Sequence, residues 1–335
     1  MAELRRILSV DGGGIRGVIA ARILQEIEAR KGKPLAEIFD LIAGTSAGGI
    51  IACGLARPGK PMSAQELLNL YVTRGAEIFH RSLWRVVVTM GGVIDEKYST
   101  EPKQQILTEV LGDSKLSEVS QTKLLVSSYA IELPPAAKSL AVPDSTRAPF
   151  FFKSWNVDDP SRPLDPRWDY HLRDVARATS AAPTYFEPAV IYSLAGERGA
   201  MVDGGVVANN PAMCAYAEAM RLWPGCDHVV VSVGTGQLER RIPFWKAKHW
   251  GLVQWAHPVL SVLMDGSGDT VSYELRRILG RKHSRFDISL GTSQDPRAAS
   301  DDLDNATPEN IQLLLGRAQM LLDQPETVAA IEALP

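Results

Sequence analysis

Cysteine is scarce in this chain. Cys53, Cys214 and Cys226 are the only three in 335 residues, an odd number with no CxxC pair. That excludes a disulfide framework and a cysteine-based zinc site, and it fits a reducing compartment. Long apolar runs are also missing, since no stretch approaches the roughly 20 apolar residues that span a bilayer. The start carries Arg5 and Arg6, and its apolar run is too short for a signal-peptide core, so a cytosolic protein is expected. There is no excess of positive charge. A formal net charge of -3 leaves no global field to draw in a nucleic-acid backbone. The acidic run Ser300-Asp-Asp-Leu-Asp-Asn305 lacks the glycine and distal glutamate of a calcium loop, and no metal is expected. No internal repeat or low-complexity linker divides the chain. With 45% hydrophobic and 22% charged residues it reads as one globular domain over 1–335.

What is present is a repeated strand, glycine loop and helix. Arg6-Ile-Leu-Ser-Val10 reads as a buried strand, followed by the glycines of Asp11 to Gly17. A helix should come next, with Ile15, Ile19, Ile23 and Ile27 on one face and Arg22, Glu26 and Arg30 on the other. Phe39 to Ala43 reads as a second strand running into Gly44-Thr-Ser-Ala-Gly-Gly49 and an apolar helix, Ile50 to Leu55. This order predicts a parallel sheet covered by helices. Further strands are predicted at Lys123 to Ile131, Phe150 to Trp155, Ala200 to Val202 and His228 to Val233. Helices are predicted at Lys103 to Leu111, Asp174 to Ser180, Pro211 to Leu222 and after Thr307-Pro308. The stretch from Met62 to about Gln121 should pack over one face and is a candidate lid.

Three motifs carry chemistry. Gly44-x-Ser46-x-Gly48 matches a nucleophile elbow, whose strained strand-to-helix turn has no room for larger neighbours. Its serine lies at a helix N-terminus, where orphan N–H groups favour negative charge. Asp11-Gly-Gly-Gly-Ile-Arg-Gly17 offers a row of backbone N–H groups suited to an oxyanion hole, with Arg16 placed to hold a substrate phosphate. Gly12-x-Gly14-x-x-Gly17 also fits a dinucleotide fingerprint. The acidic residue that fingerprint wants would be Asp40, at the wrong end of its strand. Asp203-Gly204-Gly205 follows a short apolar strand that would carry the carboxylate to the C-terminal edge of the sheet, beside Ser46.

Together these motifs resemble the patatin-like phospholipases. So do Ala176-Arg-Ala-Thr-Ser-Ala-Ala-Pro-Thr-Tyr-Phe186 and Asn209-Asn-Pro211, in the same order and over about residues 5 to 235, with 236–335 as a variable C-terminal part of the same domain. The resemblance implies a three-layer α/β/α fold with a mostly parallel central sheet. It implies a Ser46–Asp203 dyad without histidine, an acyl-enzyme intermediate, an oxyanion hole from Gly12, Gly13 and Gly14, and no cofactor. The implied substrates are membrane glycerophospholipids, reached by peripheral contact at the inner face of the membrane. In size and layout the chain is also similar to bacterial effectors of antiviral defence activated by cyclic dinucleotides. On that likeness the C-terminal third would help form a nucleotide pocket and homodimer contacts, with Arg276, Arg277, Arg281 and Lys282 either phosphate ligands or a solvated helix face.

Two alternatives follow from the residues themselves. A hydrolase triad in the order Ser, Asp, His would recruit His228, His249, His257 or His283, but each reads better as a surface or packing histidine, and none is expected to be essential. A nucleotide-binding protein using Gly12 to Gly17, or a silent scaffold, would not need both Ser46 and Asp203. Finally, the interleaved basic and aromatic segment Arg240 to Trp250, continuing to Trp255, is either a packed loop or an interfacial patch.

Overall fold

The computed structural model describes residues 3–79, 101–135, 137, 146–237, 242–292, 295 and 297–334. In chain order the elements are β1 (Leu4–Val10), α1 (Gly17–Lys31), α2 (Leu35–Ile38), β2 (Leu41–Thr45), α3 (Ala47–Leu55), α4 (Ala64–Phe79) and α5 (Glu101–Leu111). There follow β3 (Lys123–Glu132), β4 (Ala148–Lys153), α6 (Leu172–Thr179), β5 (Ala189–Tyr192), β6 (Arg198–Asp203), α7 (Gly205–Ala208), α8 (Ala212–Leu222) and β7 (Asp227–Val233). The chain closes with α9 (Phe244–Ala247), α10 (Leu252–Leu279), β8 (His283–Phe286), α11 (Pro308–Leu322) and α12 (Pro325–Glu332). Part of the expected lid, 80–100, and Arg240 and Arg241 of the basic-aromatic segment lie outside the described residues.

The strands form one eight-stranded sheet in which β3, β2, β1, β7 and β8 run parallel. β4, β5 and β6 add antiparallel pairings on the β3 side. Side chains of the parallel strands alternate between two apolar clusters. Leu8, Val10, Ile42, Leu124 and Val126 join α1, α3, α4 and α11 on one face. Ile7, Leu41, Ala43, Leu125 and Val230 meet α8 and α10 on the other. Burial on both faces is why these strands read as continuous apolar runs instead of alternating ones. The result is an α/β/α sandwich. The four predicted isoleucines, Ile15 in the turn before α1 and Ile19, Ile23 and Ile27 within it, are fully buried, and Glu26 pairs with Arg22 and Arg30 at 3.1 and 2.8 Å on the outer face.

One detail of pairing positions the site. β3 binds β2 through Lys123 to Ser127, and β6 through Ser128 to Glu132, while β4 spans Leu125 to Ala130. A residue has only two edges for pairing, so β4 takes one edge of β3 and leaves β2 and β6 to share the other, end to end. Thr45 is therefore opposite Ser127, and Asp203 opposite the next residue, Ser128. Asp203 comes down an antiparallel strand and stops level with the end of β2, beside Ser46 as expected, because β3 is long enough to template both.

Candidate active site

Ser46 occupies the turn between β2 and α3 with φ 53° and ψ −121°, a conformation L side chains rarely adopt. Such backbone typically costs on the order of 1–3 kcal/mol and persists only when its surroundings hold it. Here the Ser46 N–H donates to Thr179 Oγ1 at 2.8 Å, and the Thr179 hydroxyl donates to the Ser127 carbonyl at 2.6 Å. The flanking glycines are required by space. A Cβ on Gly44 would stand 2.2 Å from the Gly48 carbonyl oxygen, and one on Gly48 2.2 Å from the Val10 carbonyl oxygen. Both obstacles are backbone, so neither can move aside.

The Ser46 hydroxyl donates to Asp203 Oδ2 at 2.6 Å, and Gly205 N–H donates to the other carboxylate oxygen at 2.7 Å. Asp203 is 2% exposed. Burial pushes its pKa up to about 6, against the lowering pull of the Ser46 hydroxyl, the Gly205 N–H and the Lys103 charge. A more basic carboxylate is a better acceptor for a serine proton. This removes part of the difficulty of a dyad in which an ordinary aspartate must act alone. Of the histidines, His228 stands edge-on to the Tyr216 ring, and His283 shares a 2.9 Å hydrogen bond with Ser232. Neither is part of the Ser46–Asp203 bond.

The three glycines do not play one role. Gly12 spends its N–H on the Asn209 carbonyl at 3.1 Å, which differs from the expectation that it would face an oxyanion. Among the described residues, nothing accepts from the N–H groups of Gly13 and Gly14, and Gly14 lines the same cavity as Ser46. Arg16 is also placed differently from a substrate-facing cation. It is buried and donates to the Gly236 carbonyl at 3.0 Å and the Gly13 carbonyl at 3.4 Å, so its charge braces the loop. The dinucleotide reading fails on the same geometry. The loop is packed against Asn209, Thr235 and Leu303. Asp40 meanwhile sits before β2, accepting from Arg6 N–H at 2.7 Å and Arg5 at 2.9 Å.

Several positioning residues lie outside the sequence motifs. Thr235 Oγ1 donates to the Gly12 carbonyl at 2.7 Å, and Ile15 N–H to the Leu303 carbonyl at 2.9 Å. Asp11, fully buried and raised to about 6 by that burial, is met by Arg285 at 2.6 Å, which also holds Asp287 at 2.6 Å. The C-terminal third, which looked variable, thus braces the glycine loop. Thr179 was legible only as part of the 176–186 block. Its hydroxyl can be tested directly. Thr179→Val, which keeps the shape, is expected to cost roughly 2 kcal/mol for the unpaired groups, and about tenfold or more in kcat for the displaced nucleophile. Denaturant melts and ester turnover measure the two effects.

Above the dyad is a cavity of about 20 Å³ lined by Gly14, Phe79, Tyr185, Phe186 and Leu303 among others. That is room for roughly one water molecule. An acyl chain would need the wall to open.

Comparison with known proteins shows the family. Residues 8–216 match the family model of patatin-like phospholipase. Patatin-like protein 2 of Arabidopsis thaliana is 31% identical over 363 residues, which cover 96% of this chain and 84% of that protein. Patatin-like protein 4 of the same plant is 29% identical, covering 92% of this chain and 82% of its own length. Patatin group M-3 of Solanum tuberosum is 26% identical, covering 97% and 85%. The chain belongs to the patatin-like phospholipase family and is a serine ester hydrolase.

Proposed function

We propose that the chain is a phospholipase of the A type, releasing fatty acids from membrane glycerophospholipids through a Ser46–Asp203 dyad. The observation that carries this reading is the 2.6 Å bond from a strained, buried serine to a buried carboxylate, in a cavity that Gly14 also lines. Asp203 takes the hydroxyl proton as Ser46 Oγ attacks the ester carbonyl. The tetrahedral oxyanion is held by the loop N–H groups, and each such donor is worth about 10²–10³ in rate. The proton then passes to the departing alcohol, leaving an acyl-Ser46. Water, deprotonated by Asp203, attacks the acyl-Ser46, the acyl–Oγ bond breaks to release the fatty acid, and the proton on Asp203 returns to Ser46 Oγ.

Access to lipid is supported by exposed apolar groups. Phe244 and Trp245 are 80% and 64% exposed, and Val259, Val262 and Leu263 of α10 are also exposed. No helix among the described residues is long and apolar enough to cross a membrane, so contact would be peripheral. The small cavity supports a gated enzyme. A cyclic dinucleotide is one candidate activator. Of the basic residues proposed for it, Lys282 pairs with Asp227 at 2.7 Å, and Arg277 lies over the Tyr273 ring.

The test is fatty-acid release from liposomes of phosphatidylcholine and phosphatidylglycerol, read by mass spectrometry, with and without a panel of cyclic dinucleotides. Equal amounts of fatty acid and lysophospholipid are expected, and prior treatment with a fluorophosphonate should abolish both. Activity should fall as pH drops through about 6, because the base must be ionised and Asp203 is raised to about 6. Release that is insensitive to the fluorophosphonate, or none from folded protein under any condition, would refute the proposal.

A further inference from the structure

Lys103 is a lysine in the wrong kind of place for a surface charge. It is on α5, 3% exposed, with its ammonium donating to the Ser180 carbonyl at 2.6 Å and lying 4.0 Å from the centre of the Phe186 ring. Ser180 sits inside a two-rung bracket that fixes the base. Asp203 N–H donates to the Ala181 carbonyl at 2.9 Å, and Gly204 N–H to the Thr179 carbonyl at 3.1 Å. Lys103 grips the carbonyl between those two. Ser180 and Phe186 also line the cavity that holds Ser46 and Asp203. A buried ammonium is costly unless it faces a partner charge. The carboxylate that acts on it is Asp203, while Arg177 opposes it. Arg177 itself is spent on the Val190 carbonyl and Gln104. At the α4–α5 contact, Arg74 and Glu109 pair with each other at the surface.

We propose that Lys103 is the positioning residue of the dyad, a buried counter-charge that holds Asp203 ionised and aimed at the Ser46 hydroxyl. This rests on the dyad reading above. The carboxylate needs opposing influences. Burial makes it basic enough to take a serine proton, but burial alone would leave it protonated and idle near neutral pH. The ammonium restores the ionised form without touching the substrate, and through Ser180 it locks the strand end that carries Asp203. The expected linkage is reciprocal, so each group shifts the titration of the other by the same free energy.

The experiment follows a soluble short-chain ester and the rate of fluorophosphonate labelling of Ser46 across about pH 5 to 9, where the base changes ionisation. Lys103→Met keeps length and packing without charge. Its acid limb in kcat/KM and in labelling should move up by about one unit or more. A one-unit move makes it nearly tenfold slower at about pH 5, about twofold slower near pH 7, and equal to wild type in alkaline buffer, with KM little changed. Lys103→Arg should keep the wild-type limb. A Lys103→Met loss that is the same at every pH, or no loss, would overturn the proposal. Should Lys103→Met not fold, ¹³C-lysine NMR of the wild type and Asp203→Asn decides. The Lys103 titration, lowered by burial, should fall by about a further unit when Asp203 loses its charge. An unchanged titration refutes it. Wild type that neither labels nor turns over ester would instead remove the dyad reading, a result distinct from a Lys103 variant that behaves as wild type.

Discussion

Ser46→Ala is expected to drop ester turnover to background, a loss of about 10⁴ or more, and Asp203→Asn to lose about 10³–10⁴. The asparagine still accepts the Gly205 N–H and still faces the Ser46 hydroxyl, so the geometry of the elbow should survive. What it cannot do is take a proton. Because nucleophile and base act as one unit, the double variant should be no slower than Ser46→Ala alone, and additivity of the two losses would contradict a dyad. Steady-state rates on a soluble ester and on liposomes give the comparison. If Asp203→Asn keeps more than about a tenth of wild-type activity, the base is another group. The substitution has a second signature in stability. The folded-state pKa of Asp203 is raised from 3.8 to about 6, so the folded protein holds this proton more tightly than the unfolded chain. Its favourable contribution is present at low pH and is lost as pH rises through about 6. On the order of 3 kcal/mol is at stake. Asp203→Asn should flatten that part of the pH–stability curve.

Arg285→Met should lower stability by roughly 3–5 kcal/mol near pH 7.5, the usual result of leaving a buried charge without its partner. Arg285 is the cation between Asp11 and Asp287, at 2.6 Å from each. Without it two carboxylates face each other beneath the glycine loop. Asp287 also accepts the Gly236 N–H at 3.0 Å, and Gly236 in turn holds Arg16, so the damage should reach the glycine loop and lower kcat. The sign with pH is fixed by Asp11. Its folded pKa, already raised to about 6, would rise further without Arg285. Protonation then removes the conflict, so the deficit should shrink as pH falls towards 5, where roughly half or more of it should be recovered. Asp11→Asn in the same chain should restore most of the stability at neutral pH. Denaturant melts at two pH values suffice. A loss below about 1 kcal/mol, with no pH dependence, would mean that the cluster is no better than a surface ion pair.

The motifs of the site were legible because each is local. A glycine is forced wherever backbone approaches backbone, as at Gly44 and Gly48, and an apolar run followed by such glycines announces a strand entering a turn. The isoleucine face of α1 and the cap at Thr307, whose hydroxyl accepts from Asn310 N–H, follow from periodicity and capping rules. What could not be read was pairing between distant segments. Nothing in Ala200 to Val202 distinguishes a parallel from an antiparallel partner, so the direction from which Asp203 arrives was not legible. Gly12 looked equivalent to Gly13 because the Asn209 carbonyl that claims its N–H is far along the chain. Lys103 and Arg285 carry no sequence signal at all, since a lysine or arginine reads as surface until a neighbouring carboxylate is placed beside it.

The shared edge of β3 has a consequence for how the protein is born. Residues 1–132 contain β1, β2 and β3, whose parallel pairings build the elbow and carry Ser46. The base arrives only when β6 docks, end to end with β2, against the half of β3 still open. During synthesis at about 5–20 residues per second the nucleophile therefore exists for several seconds before its partner does. A nascent or truncated chain holding Ser46 without β6 is a serine without a base. Competence is thus a late property of folding, gained with one long-range strand pairing. An ester hydrolase built in this order would stay inert until its sheet is closed.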